Sequence, residues 1–281
     1  MKSNLSLDER PLQEQAKRLL NGHSPPLKTA STTLNLSTPD SQATQLLRRF
    51  DQLSEAGEYL YRSPISRPAH HKLLPIPRYV FLGDQPGESE IRLGIFAGIE
   101  GHNHAGSRAI ADFIADLVAF PSLGSAFRIY AYPIVNQGSL EKSPKQPDRH
   151  LSEETRRQLK PGEASILERE LFVVQFQGVI VVQTTEENEG LQVTIDNPNL
   201  HNVLVVPIVE TLRPLFPTTA YSDLNPSWSI VADNGPKQRP FELTLGIPRS
   251  AWESLYAIGL RIALHTAIDS YRSYLAQANN I

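Results

Sequence analysis

A chain of 281 residues, 40% hydrophobic and 20% charged, has the composition of an ordinary globular protein and can bury a substantial core. Its net charge of −3, without a long Lys/Arg run, offers nucleic acid no electrostatic footprint, and the absence of cysteine excludes disulfides, Cys-ligated zinc and thiol nucleophiles. No run of ~18 apolar residues suits a membrane span and the N-terminus lacks the apolar core of a signal peptide, so a soluble, cytoplasmic protein is expected.

Residues 1–40 are rich in Ser, Thr, Pro and Asn and read as an extended or partly disordered arm, distinct from a folded domain at 41–281. From Ser41, Leu46, Leu47, Phe50 and Leu53 recur at helical spacing. A Pro-containing stretch with His70 and His71 leads to strands at Tyr79 to Leu82 and Leu93 to Ile99. A helix is predicted from Ala105 to Phe120, stopped by Pro121, followed by a strand from Phe127 to Val135. Pro161 suits the first turn of a helix running to Phe176. Gly178 to Gln183 is apolar without alternation, the mark of a buried parallel strand. A strand at Leu191 to Ile195, a helix around Asn202 to Leu215, strands at Trp228 to Val231 and Phe241 to Ile247, and a long helix from Arg249 to Ala276 complete the chain. The alternation of strands and helices predicts one α/β domain with a mixed, mostly parallel sheet.

The most informative segment is Arg92 to Leu117. An apolar strand enters a glycine-flanked turn holding Glu100, His102, Asn103 and His104, and a helix follows at once. Such a turn falls at the carboxyl edge of the sheet, where α/β folds place their ligands.

The segment RLGIFAGIEGHNHAGSRAIADFI resembles the first metal-binding segment of M14-type zinc carboxypeptidases and their succinylglutamate desuccinylase/aspartoacylase relatives, in which G-I-H-G-x-E-x-x-G precedes a helix. YPIVNQGSLEK resembles that family's P-x-x-N-P-x-G stretch, and ILERELFVVQFQGVIVVQTTEE the helix and strand that deliver a second zinc-binding His. FELTLGIPRS resembles the last strand, which carries the general-base Glu ahead of a long C-terminal helix. The resemblance covers Gln45 to the C-terminus in the right order. It implies a three-layer α/β/α sandwich of the phosphorylase/hydrolase-like type, with about eight strands in a mixed, mostly parallel central sheet.

The residues that carry the family's chemistry are replaced. Glu100 occupies the first His position, Asn103 that of the partner Glu, Gln183 that of the second His, and Gly246 that of the general base. The substrate-binding D-L-N-R pattern is echoed only by Asp148, Arg149 and His150; Asn136, Asp148 and Arg149 are cleft candidates, as is His201, which reads equally as a structural residue buried where its helix packs. A hydrolytic zinc needs imidazole and carboxylate donors and an open position for water, whereas Asn103 and Gln183 offer neutral amides. Without the metal, no bound water is brought to a pKa near ~7.

Glu100, His102 and His104 alternate and would project to one side of an extended segment as an alternative metal set. The competing reading has His102 and His104 capping the Ala105 helix, or hydrogen-bonding across the pocket, as neutral imidazoles. Ser107 and Ser165 have no G-x-S-x-G context, and no Gly-rich nucleotide loop occurs. Glu186, Glu187 and Glu189 are acids near the end of the Gly178 strand, His265 reads as a core or boundary residue of the last helix, and Trp228 and Trp252 as core.

The expectation is therefore a carboxypeptidase-like protein with a degenerate metal site and no cofactor, binding a peptide, an amino-acid derivative or a protein partner in the ancestral cleft. The alternative is an active zinc-dependent carboxypeptidase or deacylase with Glu100, His102 and His104 as ligands and Glu242 or Glu187 as substitute base. A third reading is an assembly subunit whose N-terminal arm embraces a neighbouring copy.

Overall fold

The computed structural model describes residues 42–65, 76–84, 90–99, 104–135, 170–171, 173–185, 190–217, 220–221, 241–248 and 253–278. The expected arm at 1–40, the loop histidines His70 and His71, the helix start at Pro161 and the strand at Trp228 to Val231 lie outside them.

Helix α1 (Gln42–Ala56) buries Phe50 and packs Leu46, Leu47 and Leu53 on the same core, as the spacing predicts. Strands β1 (Leu60–Arg62), β2 (Tyr79–Leu82) and β3 (Ile91–Phe96) follow. Helix α2 (Ala105–Ala119) ends where Phe120 leaves helical geometry and Pro121 opens a 3₁₀ turn. After it come β4 (Phe127–Tyr132), β5 (Gly178–Thr185) and β6 (Gln192–Ile195). Helix α3 (Val206–Leu212), strands β7 (Ala220–Tyr221) and β8 (Glu242–Pro248), and helix α4 (Glu253–Ala278) complete the described elements.

The helix expected around Asn202 to Leu215 is three pieces: a 3₁₀ turn at Pro198–Leu200, a π turn at His201–Val205, and α3. Pro207 explains the break, because it has no N–H for an α-helical bond and the turn before it widens.

The eight strands form one mixed sheet in the order β1-β2-β4-β3-β5-β8-β6-β7. β4, β3, β5 and β8 are mutually parallel at its centre; β2 and β6 flank them antiparallel. From β3 the chain moves to β4 on one side and later to β5 on the other, so the carboxyl end of β3 is a topological switch point, the usual crevice for a ligand in an open α/β sheet.

The two faces of the sheet differ. On one, Leu93, Ile95, Ile129, Ile180, Val182, Leu243 and Leu245 form a large core with Phe50 of α1, Phe113 and Ile114 of α2, Ile208 of α3 and Leu260 and Leu264 of α4. On the other, Phe96, Tyr132, Val179 and Val181 meet Leu171, Val174 and Phe176, with Leu171 and Val174 in helical conformation. That helical stretch stops at Gln175, whose φ is +53°.

Candidate functional site at the carboxyl edge of the sheet

The turn after β3 is built by close backbone approaches. Gly98 has φ +64°, and a Cβ there would stand 3.0 Å from both the Ile134 Cα and the Pro133 carbonyl oxygen. A Cβ on Gly106 would stand 2.7 Å from Val182 Cγ1, so glycine lets the first turn of α2 settle against β5. Ser107 is buried and donates to the Pro133 carbonyl at 2.6 Å. It ties α2 to the chain leaving β4, a structural role consistent with its lack of a nucleophile turn.

Glu100, Gly101, His102 and Asn103 lie outside the described residues. His104 is within them. It occupies the N-cap position of α2 with φ −85° and ψ −2°, and its carbonyl accepts from the Arg108 N–H at 2.8 Å. One expectation is corrected: the His104 side chain makes no capping hydrogen bond to α2. The backbone at His104 itself is helical, not extended. Among the described residues no three His, Asp or Glu side chains gather as a metal-binding group.

Gln183 and Gly246 are partners in the parallel β5–β8 register, and Gly246 is also the partner of Gln192 across the antiparallel β6–β8 ladder. A Cβ on Gly246 would meet Thr185 Cγ2 at 2.6 Å and Gln192 Cβ at 3.2 Å. A crevice lined by Gly98, Ile99, Gly106, Val182, Gln183, Thr184 and Ile247 opens at this edge, with water-sized room of about 10 Å³. That is space for about one water. The described residues at the ends of the parallel strands, Phe96–Ile99, Tyr132–Val135, Gln183–Thr185 and Gly246–Pro248, include no Asp, Glu, Lys, Arg or His.

Glu242 is buried at 1% exposure, but it opens β8 four residues before Gly246, about 13 Å away at a strand's rise. Its N–H donates to Asp196 Oδ1 at 2.5 Å and its carbonyl accepts from Asp196 N–H at 3.1 Å, which fastens the amino end of the strand. The expectation of Glu242 as a substitute base is thereby corrected: it belongs to the opposite edge of the sheet. His201 is corrected for a similar reason. β6 runs antiparallel to β8 and ends at Ile195 beside Leu243, so the chain carrying His201 departs from the amino edge, and Leu200, Leu204 and Val205 around it enter the four-helix core. Asn136, Asp148, Arg149 and Glu187 lie outside the described residues.

A half-buried ionic cluster borders the edge. Tyr132, at the end of β4, stacks on Phe96 at 4.3 Å and donates to Glu170 Oε2 at 2.9 Å. Arg78 donates to the same oxygen at 2.5 Å and to the Ser63 carbonyl and hydroxyl at 2.8 and 2.7 Å. Burial, reinforced by the neighbouring Glu170 charge, raises the Tyr132 phenol well above its ordinary value and keeps it neutral. On the far side of α2, Asp116 receives Arg261 Nε and Nη2 at 2.6 and 2.5 Å and His265 Nε2 at 2.8 Å, and His265 packs edge-on against Phe113 at 4.9 Å. His265 is thus a boundary residue joining α4 to α2.

Thr185, Thr244 and Gln192 were not among the expected site residues. The sequence signal for them is the alternation of Glu242, Thr244 and Gly246 with Leu243, Leu245 and Ile247 on β8, and of Gln192 and Thr194 with Val193 on β6.

No protein-family model matches the chain, and no curated protein matches it. Solved structures do. A metallo-carboxypeptidase from Burkholderia cenocepacia superposes with a TM-score of 0.64 at 11% identity, over 84% of this chain and 70% of that one. A metallo-carboxypeptidase from Pseudomonas aeruginosa, in complex with (2-guanidinoethylmercapto)succinic acid, gives 0.59 at 16% identity, over 82% and 68%. At these identities the likeness establishes the fold, which is carboxypeptidase-like.

Proposed function

We propose that this protein keeps the carboxypeptidase architecture as a binding scaffold, taking a peptide or amino-acid derivative at the carboxyl edge of its sheet without hydrolysing it. The observation that carries the reading is the pairing of Gln183 with Gly246. On the resemblance, these positions answer to a metal-binding His and a general-base Glu. An amide and a hydrogen atom stand there instead.

The donor set does not fit a hydrolytic zinc. Gln183 and Asn103 are neutral amides, poor partners for a cation that prefers imidazole, thiolate and carboxylate. Gly246 has no group to take a proton from water, and the nearest acid on its strand, Glu242, is at the other edge. General-base assistance is worth ~10²–10⁴ in rate, so its loss alone would leave a feeble enzyme. The helical backbone at His104 also weighs against a Glu100, His102 and His104 site.

The test is hydrolysis of a panel of N-blocked dipeptides and N-acyl amino acids by the full chain, with and without added zinc. No turnover above the uncatalysed rate is expected. Zinc-dependent release of amino acid, abolished by His102→Ala, would overturn the reading in favour of an active hydrolase with altered ligands.

A further inference from the structure

The second face of the sheet changes character along β5. Val179 and Val181 on that face are core, and the next residues on it are Gln183 and Thr185. On β8, Leu243, Leu245 and Ile247 fill the four-helix core, which leaves Glu242, Thr244 and Gly246 on the second face. On β6, Val193 points to the four-helix core and Gln192 and Thr194 to the other side. Cross-strand pairing then sets Gln183 and Gln192 on either side of Gly246, with Thr244 two residues back on the same face.

We infer that Gln183, Thr185, Gln192 and Thr244, grouped around Gly246, are a binding floor for an uncharged hydrogen-bonding group, a carboxamide or peptide amide of the bound molecule. The inference rests on the binding-scaffold reading and names the chemical group that this floor recognises.

Two observations point to a ligand. Thr244 is 3% exposed, yet its hydroxyl has no hydrogen-bond partner among the described residues. The Thr185 hydroxyl is buried and equally without a partner among them. Buried polar atoms are ordinarily paired, so two unpaired hydroxyls on one face of adjoining strands mark groups available to something else. Gly246 lies between them on the same face, with Thr185 Cγ2 and Gln192 Cβ packed over it at 2.6 and 3.2 Å from a built Cβ.

The chemistry of the floor selects a neutral group. Hydroxyls and carboxamides each donate and accept, which matches an amide's N–H and C=O together. A carboxylate at the same place would be desolvated beside described residues that carry no positive charge.

The experiment titrates the full-length, ¹⁵N-labelled protein with N-acetyl-phenylalaninamide, N-acetyl-alaninamide and N-acetyl-glutaminamide, and with the corresponding N-acetyl amino acids as free acids at pH 7. At least one amide is expected to bind tenfold or more tightly than its acid. Thr244→Val and Gln183→Leu are expected to weaken it ten- to hundredfold, and Thr244→Ser to retain it. Thr244→Val should leave the melting temperature unchanged, because the hydroxyl it removes has no partner among the described residues to lose; a structural threonine would behave oppositely. Equal affinity for acids and amides, or unchanged affinity in Thr244→Val and Gln183→Leu, would overturn the floor while leaving a non-hydrolytic binding protein intact. Binding of none of the amides at millimolar concentration would also overturn it. Zinc-dependent turnover would instead overturn the scaffold reading on its own.

Discussion

Gln183 on β5 and Gly246 on β8 face each other across a parallel register, with Gln192 of β6 directly beyond Gly246. A side chain on Gly246 would have to enter space already held by Thr185 Cγ2 and Gln192 Cβ, at 2.6 and 3.2 Å from a built Cβ. Under the binding-scaffold proposal, a side chain at Gly246 could be accommodated only if Thr185 and Gln192 moved.

Gly246→Ala should destabilise the protein despite alanine's better strand propensity. Relief of glycine's backbone entropy is worth ~0.5–1 kcal/mol, whereas overpacking against a β-branched neighbour costs about 1–3 kcal/mol. Thermal denaturation should show a fall of roughly 2–6 °C. Gly246→Glu should fall further and should gain no hydrolytic activity toward N-blocked dipeptides.

Gly98→Ala tests the turn that closes the switch point. At φ +64° an alanine is strained, and its Cβ would press on the Ile134 Cα and the Pro133 oxygen at 3.0 Å. A loss of about 1–3 kcal/mol in urea unfolding is expected.

Much of the fold was legible because its signals were periodic. The bounds of α2 followed from its apolar stripe and from Pro121, and β5 from an unbroken apolar run. β1 and β7 were not legible, since strands of three and two residues are too short to show an alternation. The site was legible only as a comparison of distant segments: that Gln183 would pair with Gly246 depends on strand order, which single-strand patterns do not encode. Glu242 and His201 misled for the same reason. Their residue types suited a cleft, but strand direction puts Glu242, and the chain leading to His201, at the amino edge.

Tyr132→Phe removes one of two hydrogen bonds to Glu170 Oε2 and should cost about 1–2 kcal/mol. Arg78→Met leaves the Glu170 carboxylate, 12% exposed, without its cation, and should cost more, about 3–5 kcal/mol. Chemical denaturation of both variants checks the order.

Asp116 predicts an acid limb of stability. Burial pushes its carboxyl upward, but the hydrogen bonds and charge of Arg261 and His265 outweigh that and hold it below the ordinary value of 3.8. A carboxyl lowered in the folded state contributes stability that is fully present above its unfolded value and is lost as pH falls through the folded one. Asp116→Asn should therefore be less stable at pH 7 than the parent, and the gap should close below pH ~4. Since Arg261 is 43% exposed, solvent screening limits the gap to about 1 kcal/mol or less.

The most direct measurement is metal content. Full-length protein, purified without chelator, incubated with equimolar zinc and desalted, is analysed by inductively coupled plasma mass spectrometry. The binding-scaffold account predicts far less than one zinc per chain, unchanged by His102→Ala or His104→Ala. One tightly held zinc per chain, lost in either variant, would contradict it.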